Sequence, residues 1–472
     1  MTAKARITAI DRFIKGCRED GIYDDLNAAC VMAGWSNLAG ALTPLVGAAP
    51  TNSGFLATDF DRGIGLKGNG SSKYLDSNRG SNADGQNDFH HSLYVSNANS
   101  GNFYYMGQDT GGSTGATAVF RSGSALGYRN RSSGFDTIGL SAKGFLGQTR
   151  ASSSEYSVRS NATSTTQSRA SQSPAAVDVA VYAGSVGFAT AMSDATLSFY
   201  SIGSATDLAL LDARVSTLMA DLRAIEEVGF DRDAIGYLRA VEEADGAFLE
   251  TSVKIAVNNL VSGLKADGLW DAIGSSCLLC GPRTLAGALV PLRGDAPTGV
   301  GFVSGDYYRD TGLKGDGTSY LDSNRANNAD PRNDFHISAY ATAGATGATY
   351  FLGAQHATSS YKGIGYAIWS RSAGATASSV PSSTGLYAVT RDSDSAIKYI
   401  KPPSGVVSTS IASVAAAPYA TNDYAFALSD SAGSPIGITD AKLAFYSIGT
   451  SLDLAKLDSH ISSYVTAIGA AI

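Results

Sequence analysis

The sequence predicts a mainly β protein with flanking helices, built as two tandem β-sandwich units joined by a helical connector. Three observations predict it. The chain repeats itself at a long period, and its 472 residues are too many for one core. Charged residues make up only 16%, while Gly, Ser, Thr and Ala fill long stretches, a balance that suits β-rich domains with uncharged polar loops rather than a helical bundle. The remaining segments are short, rich in β-branched and aromatic residues, and punctuated by turn residues.

The repeat is read directly. LKGNGSSKYLDSNR from Leu66 recurs as LKGDGTSYLDSNR from Leu313, and the loss of one residue inside it shifts the offset from 247 to 246. The register then holds: NDFH at Asn87 returns at Asn333 and FYSIG at Phe199 returns at Phe445. Upstream, LAGALTPL at Leu38 pairs with LAGALVPL at Leu285, and Asp20-Gly21 pairs with Asp267-Gly268. So long a period belongs to tandem domains, not to a solenoid. The expected units are residues 1–225 and 255–472, with a connector over 226–254.

Each unit opens on a helical pattern, carried by Ile10, Phe13, Ile14 and Cys17 in the first copy and by Val257, Leu260, Val261 and Leu264 in the second. Asp-Gly ends it, and a second short helix is expected over Tyr23 to Ala33 and over Trp270 to Leu279. NFYYMG, VAVYAG and LSFYSIG then read as strands, as do TYFLG, GLYAVTRD, AIKYIK, YAFALS and LAFYSIG. Many short strands with few helices between them predict an antiparallel sandwich, and a concanavalin-like or laminin-G-like jelly roll is the expected type.

After FYSIG the helical period returns. Leu208, Leu211, Val215, Leu218 and Leu222 form a heptad seam, repeated by Leu454, Leu457 and Ile461 and continued by Tyr464 and Ile468. Such a seam serves either an oligomer or docking contact, making a homo-oligomer the expectation, or packing across the helix's own sandwich. Thr206 or Ser204, and Ser451, are the expected caps. The connector EEVGFDRDAIGYLRAVEEADGAFLE holds five of the seven glutamates and reads as a solvated, semi-rigid spacer.

The net charge of −7 and the scattered Lys and Arg argue against nucleic-acid binding. The nearest thing to a basic patch, Arg121, Arg129 and Arg131, reads as solvated loop arginines. No apolar run reaches the roughly 18 residues of a membrane span, and the amphipathic start with Lys4 and Arg6 does not read as a leader. Four cysteines are too few for a disulfide scaffold of this length, which favours synthesis in a reducing cytosol.

Enzymatic chemistry finds few candidates. A glutamate pair of the glycosidase kind is missing from copy two, which has no glutamate after Glu250, while copy one offers only Glu19 and the solitary Glu155. His90 and His336 share one slot and read as hydrogen-bonded edge residues; His91, His356 and His460 complete the five, and no nucleophile motif accompanies them. Cys277 and Cys280 form a CxxC without a second pair, so small buried cysteines on a helix are expected rather than a zinc site.

Two constellations suggest binding. Asp76, Asn78, Arg79, Asp84, Asn87 and Asp88, repeated as Asp322, Asn324, Arg325, Asp330, Asn333 and Asp334, could hold Ca2+ if their oxygens converged; the competing reading is that they make turns. No other cofactor is expected. Tyr104, Tyr105 and Tyr128, with Tyr361, Tyr366 and Trp369, could form a glycan platform, with core packing as the alternative.

The run KADGLW (Lys265 to Trp270), LAGALVPL, LKGDGTSYLDSNR, NADPRNDFH and a terminal FYSIG before a helix resembles a module of virion structural proteins of tailed bacteriophages, and AVEEADGAFLE resembles its lead-in. The resemblance spans nearly the whole chain twice; copy one departs from it over Gly16 to Tyr23. It implies a non-enzymatic role in a virion assembled from protein made in the host cytoplasm, with other virion proteins as partners, and it transfers no catalytic residue. A receptor-binding lectin for host-surface glycans and a polysaccharide depolymerase are the alternatives. Because the chain opens on one unit and closes on the other, a compact surface, tail or collar component is expected rather than a long fibre.

Overall fold

The computed structural model describes residues 3–98, 101–109, 115–139, 141–186, 191–355, 361–372, 377–378, 382–394, 396–410 and 417–472. They fall into two compact units, residues 1–228 and 229–472. The chain is a tandem β-sandwich protein, as its composition and repeat predict.

The first unit opens with α1 (Ala3–Glu19) and carries the short α2 (Leu38–Ala41) and the long α3 (Leu208–Glu226). One antiparallel sheet runs in the order Thr163–Ser168, Glu155–Ser160, Gly144–Arg150, Phe89–Asn97, Thr196–Gly203, Leu26–Val31, Pro44–Val46. The hairpin Phe60–Asp61/Gly65–Lys67 adds to it along Thr196–Gly203. The facing sheet runs Asp136–Ile138, Ala125–Ser132, Ala116–Ser122, Phe103–Gln108, Asp178–Val181, Tyr74–Gly80, Thr51–Ser53. Between the sheets lies one core, with Leu75, Phe89, Leu93, Tyr105, Leu126, Tyr128 and Tyr200 fully buried. On the outer face of the first sheet α1 and α3 make a second core with Phe145 and Phe199.

The second unit repeats this plan. α4 (Arg232–Asp245) precedes α5 (Thr251–Ala266) and the short α6 (Leu285–Ala288), and α7 (Leu454–Ala471) closes the chain. Strands Phe335–Ala343 and Lys442–Gly449 take the central places of Phe89–Asn97 and Thr196–Gly203. The glycine of each GLKG stretch has a physical reason. Gly65 and Gly312 hold φ of +105° and +112°, and a Cβ on either would stand 2.2 Å from the carbonyl oxygen of Leu197 or Leu443, so only glycine seats the hairpin on the central strand.

Several expectations are corrected, and the two alternatives for the heptad seams are decided. The predicted second helix is a strand in both copies, Leu26–Val31 and Ile273–Leu278. Its residues alternate, Ala28 and Cys30 facing the inter-sheet core and Ala29 and Val31 facing the helices. A strand buried on both faces reads as a continuous apolar run, and periodicity does not separate that from a short helix. For the same reason Cys277 and Cys280 belong to opposite cores rather than to one helix face, and burial pushes both thiols up to about 12.

The heptad seams are internal. Leu208, Leu211, Val215, Leu218 and Leu222 pack with α1 and the first sheet, and Leu454, Leu457 and Ile461 pack the same way in the second unit. A side chain already buried in its own unit offers no oligomer contact. The caps are Asp207 and Asp453, not Thr206, Ser204 or Ser451; Asp207 accepts from the amides of Ala209 and Leu210 at 2.8 and 3.2 Å, and Asp453 does likewise.

The connector is not a solvated spacer. α4 buries Ala234, Tyr237, Leu238 and Val241 in the helical core of the second unit, and its Glu242 pairs with Lys254 at 2.9 Å, side chains only 3% and 5% exposed. Glu226 meets Arg62 at 2.6 Å, and Glu250 meets Arg283 and Arg309. Composition shows the acids but not partners far along the chain.

Candidate binding surfaces

The repeated polar motif is structural. Asn78 and Asn324 hold left-handed φ of 53° and 54°, which asparagine tolerates. The Asn78 amide group donates to Ala49 O at 2.7 Å and Thr51 Oγ1 at 2.9 Å, and Asn324 donates to Ala296 O and Thr298 Oγ1 at 2.8 and 3.0 Å. Asp76 and Asp322 each accept from the backbone amide two residues on. Asp88 accepts from Ala205 N at 2.6 Å and Asp334 from Ser451 N at 2.8 Å, fastening the start of one central strand to the end of its neighbour. Arg79 and Arg325 grip Asp84 and Asp330. The oxygens proposed for Ca2+ therefore turn back onto their own chain instead of converging. Among the described residues no group of three or more His, Cys, Asp or Glu gathers in a way that could hold a metal ion.

Of the three arginines read as solvated, Arg121 is partly exposed and the other two are not solvated. Arg129 and Arg131 lie on the strand Ala125–Ser132, 5% and 0% exposed. Arg131 lies over the Phe89 ring, 4.0 Å from its centroid, and donates to the carbonyls of Ser81 and Gly85. Arg371 does the same over Phe335 with Asn327 and Pro331. Both sit at positive φ, 48° and 58°, and burial lowers both to about 10. Each clamps the loop that follows the YLDSNR strand. Nothing in the local sequence sets these arginines apart.

His90 and His336 are hydrogen-bonded as expected, yet they stand on central strands and not at an edge. The Nδ1–H of His90 donates to Ser204 O, and the Ser201 hydroxyl donates to Nε2 at 3.0 Å; Ser92 lies 2.8 Å from Ser201. His336, Thr450, Ser447 and Ser338 repeat the arrangement at 2.6, 2.9 and 2.7 Å. Burial holds both imidazoles down at about 4, so they are neutral struts sealed from solvent. Their common offset of 246 with the two serines is the sequence signal that marks the cluster. His356 lies outside the described residues.

Between the sheets the two units diverge. The first buries His91, Gln148 and Thr117, with Gln148 donating to His91 and, at 3.2 Å, to Thr117 Oγ1. At the equivalent ladder positions the second has Ile337, Val389 and Lys362, and Lys362 forms a wholly buried ion pair with Asp423 at 2.6 Å. Burial lowers Lys362 to about 8, against the attraction of Asp423, and burial raises Asp423. One location thus has two polar solutions.

The outward face of the second sheet carries an aromatic shelf in each unit. Tyr104 is half-buried, 5.4 Å from Phe120, which meets Phe135 edge-on at 5.2 Å; Phe135 is 54% exposed. Phe120 lies on Gly127, where a Cβ would come within 2.1 Å of the ring. Tyr105 and Tyr128 are fully buried in the inter-sheet core and leave the glycan platform, because side chains alternate faces along a strand. In the second unit Tyr361 stacks on Trp369 at 4.4 Å, Trp369 Nε1 donates to Tyr350 OH at 3.3 Å, and Tyr366 is 48% exposed. Trp369 holds the ladder position of Arg129, whose partner Asp109 at 3.0 Å is matched by Gln355. Phe120, Phe135 and Tyr350 were not legible as platform residues, since strand pairing alone brings them beside the others.

No family model and no curated protein matches the sequence. Among solved structures the chain is similar to the binding domain of botulinum neurotoxin serotype D, at 8% identity over 41% of this chain and 51% of that one, with a TM-score of 0.29. It is also similar to mouse laminin α1 domains LG4-5, at 9% identity over 86% and 93%, TM-score 0.23. A mutant of Trypanosoma rangeli sialidase displaying trans-sialidase activity overlays at 11% identity over 45% and 38%, TM-score 0.30. The chain spans about half the length of the toxin domain it matches. At such scores the sandwich assignment rests on the sheets themselves.

Proposed function

We propose that this chain is a non-catalytic structural and binding protein of a tailed-phage virion, a compact surface, tail or collar component that contacts other virion proteins. The observation that carries the reading is a division of labour between repeated and unrepeated side chains. The repeated polar residues, from Asp76 and Asn78 to His90 and Ser201, hold the fold in both copies. What differs between copies is the outward side of the second sheet, with its shelf over the buried Asp109–Arg129 pair in one unit and over Gln355 with Trp369 in the other, together with the polar group between the sheets. Divergence on a constant scaffold suits two contact surfaces better than one reaction centre. The resemblance of the KADGLW-to-FYSIG run supplies the virion. Quantitative mass spectrometry of purified particles tests this; a fixed number of copies per particle is expected, and absence from the particle defeats the reading.

Glycan recognition is the second reading, favoured by the stacked Tyr361 and Trp369 beside the exposed Tyr366, since aromatic faces pack against sugar rings. A glycan array with the wild type and with Trp369→Ala decides it: sugar-specific signal lost in the variant supports recognition, and a blank array with the wild type removes it. Incubation with host polysaccharide should release no reducing ends.

A further inference from the structure

The two units differ in what covers their opening helix. In the second, α4 lies antiparallel along α5: Asp231 and Asp233 at its start pair with Lys265, the first at 2.7 Å, and Glu242 near its end pairs with Lys254. Val257 and Val261 beneath it are 2% and 0% exposed. In the first unit no described helix takes that place on α1. Ile7, which stands where Lys254 stands, is 65% exposed, and Ile10 and Ile14, equivalent to Val257 and Val261, are only partly buried. Arg18, equivalent to Lys265, is exposed at the far end. Ile7, Ile10 and Ile14 recur at helical spacing and form an apolar stripe ending in a cation.

We propose that this stripe of α1 docks one amphipathic helix of another protein, antiparallel to α1. The sister unit specifies the occupant's chemistry. It presents a small–aromatic–aliphatic face like Ala234, Tyr237, Leu238 and Val241, with an acid in its first turn toward Arg18. Opposite Ile7 it places an apolar residue, where α4 has Glu242 opposite Lys254. The α4 of a second copy is not free to fill the place, because its Tyr237, Leu238 and Val241 are 6%, 0% and 0% exposed within its own second unit. The inference stands on the comparison of the two units and is independent of the glycan reading.

The test uses the full chain and a synthetic peptide of residues 229–250 carrying Glu242→Leu, stapled between the exposed positions 236 and 240 so that it is helical before it binds. Fluorescence anisotropy should show saturable binding, weakened at least about tenfold by Ile7→Glu in the chain and unchanged by Ile255→Glu on the second unit's α5. Hydrogen exchange should slow along residues 7–18 in the complex. Absent binding, binding indifferent to Ile7→Glu, or protection elsewhere overturns the proposal. So does concentration-dependent self-association of the peptide-free chain that Ile7→Glu abolishes, because the occupant would then be a second copy.

Discussion

A buried ionisable side chain is stable only with its partner, and the Lys362–Asp423 pair makes this testable. Lys362→Met alone leaves a buried carboxylate uncompensated and should cost roughly 3–5 kcal/mol in urea unfolding. The double change with Asp423→Val should fall within about 1 kcal/mol of the wild type or exceed it, because Thr117 and Val179 fill those places in the first unit without a charge. The buried histidines fix an acid window. His90 and His336 are held at about 4 and His91 at about 3, each below the ordinary 6.5. The unfolded chain therefore takes up these protons first as pH falls, and their contribution is complete above about 6.5 and lost on descent through about 4. Melting temperature should be level from pH 8 to 6.5 and decline toward 4, less steeply in a His91→Ile/Gln148→Val variant, which borrows the second unit's pair. None of these burials was legible in sequence, since a histidine or arginine looks alike on a central strand and in a loop.

Among elements, helices declare themselves because a 3.6-residue period needs only near neighbours to be visible. α1, α3, α5 and α7 appear where Ile10, Leu211, Val257 and Leu457 recur. What the period leaves open is the target of the stripe, and tertiary packing assigned both long seams to their own sandwiches. Leu211→Ala and Leu457→Ala should each cost about 2–5 kcal/mol of stability in chemical denaturation, with the mass in light scattering unchanged. A drop in mass would restore the seam as an oligomer contact. Asp207→Ala and Asp453→Ala should cost about 1 kcal/mol each by the same denaturation. The strands at Leu26 and Ile273 were misread because two buried faces erase the alternation that identifies a strand at a surface.

At the scale of the molecule, the second unit begins before its first repeated residue. A chain of residues 229–472 should unfold in one cooperative transition, whereas one beginning at 255 cuts into α5 and strips α4 from Val257 and Val261. The shorter chain should melt lower and bind a hydrophobic dye; equal melting would show α4 to be dispensable. The sequence placed this segment between the units because it follows one repeat and precedes the next. Adjacency along a chain does not say which neighbour a helix packs against.

By itself the sequence determined the duplication, the β-rich class and the position of every long repeated helix, because period and composition are local or self-referential properties. Only the tertiary structure decided which tyrosines face solvent, which acids hold their own backbone, and where α4 belongs. Each of those depends on atoms brought together across tens to hundreds of residues, and their separation along the chain carries no trace of it.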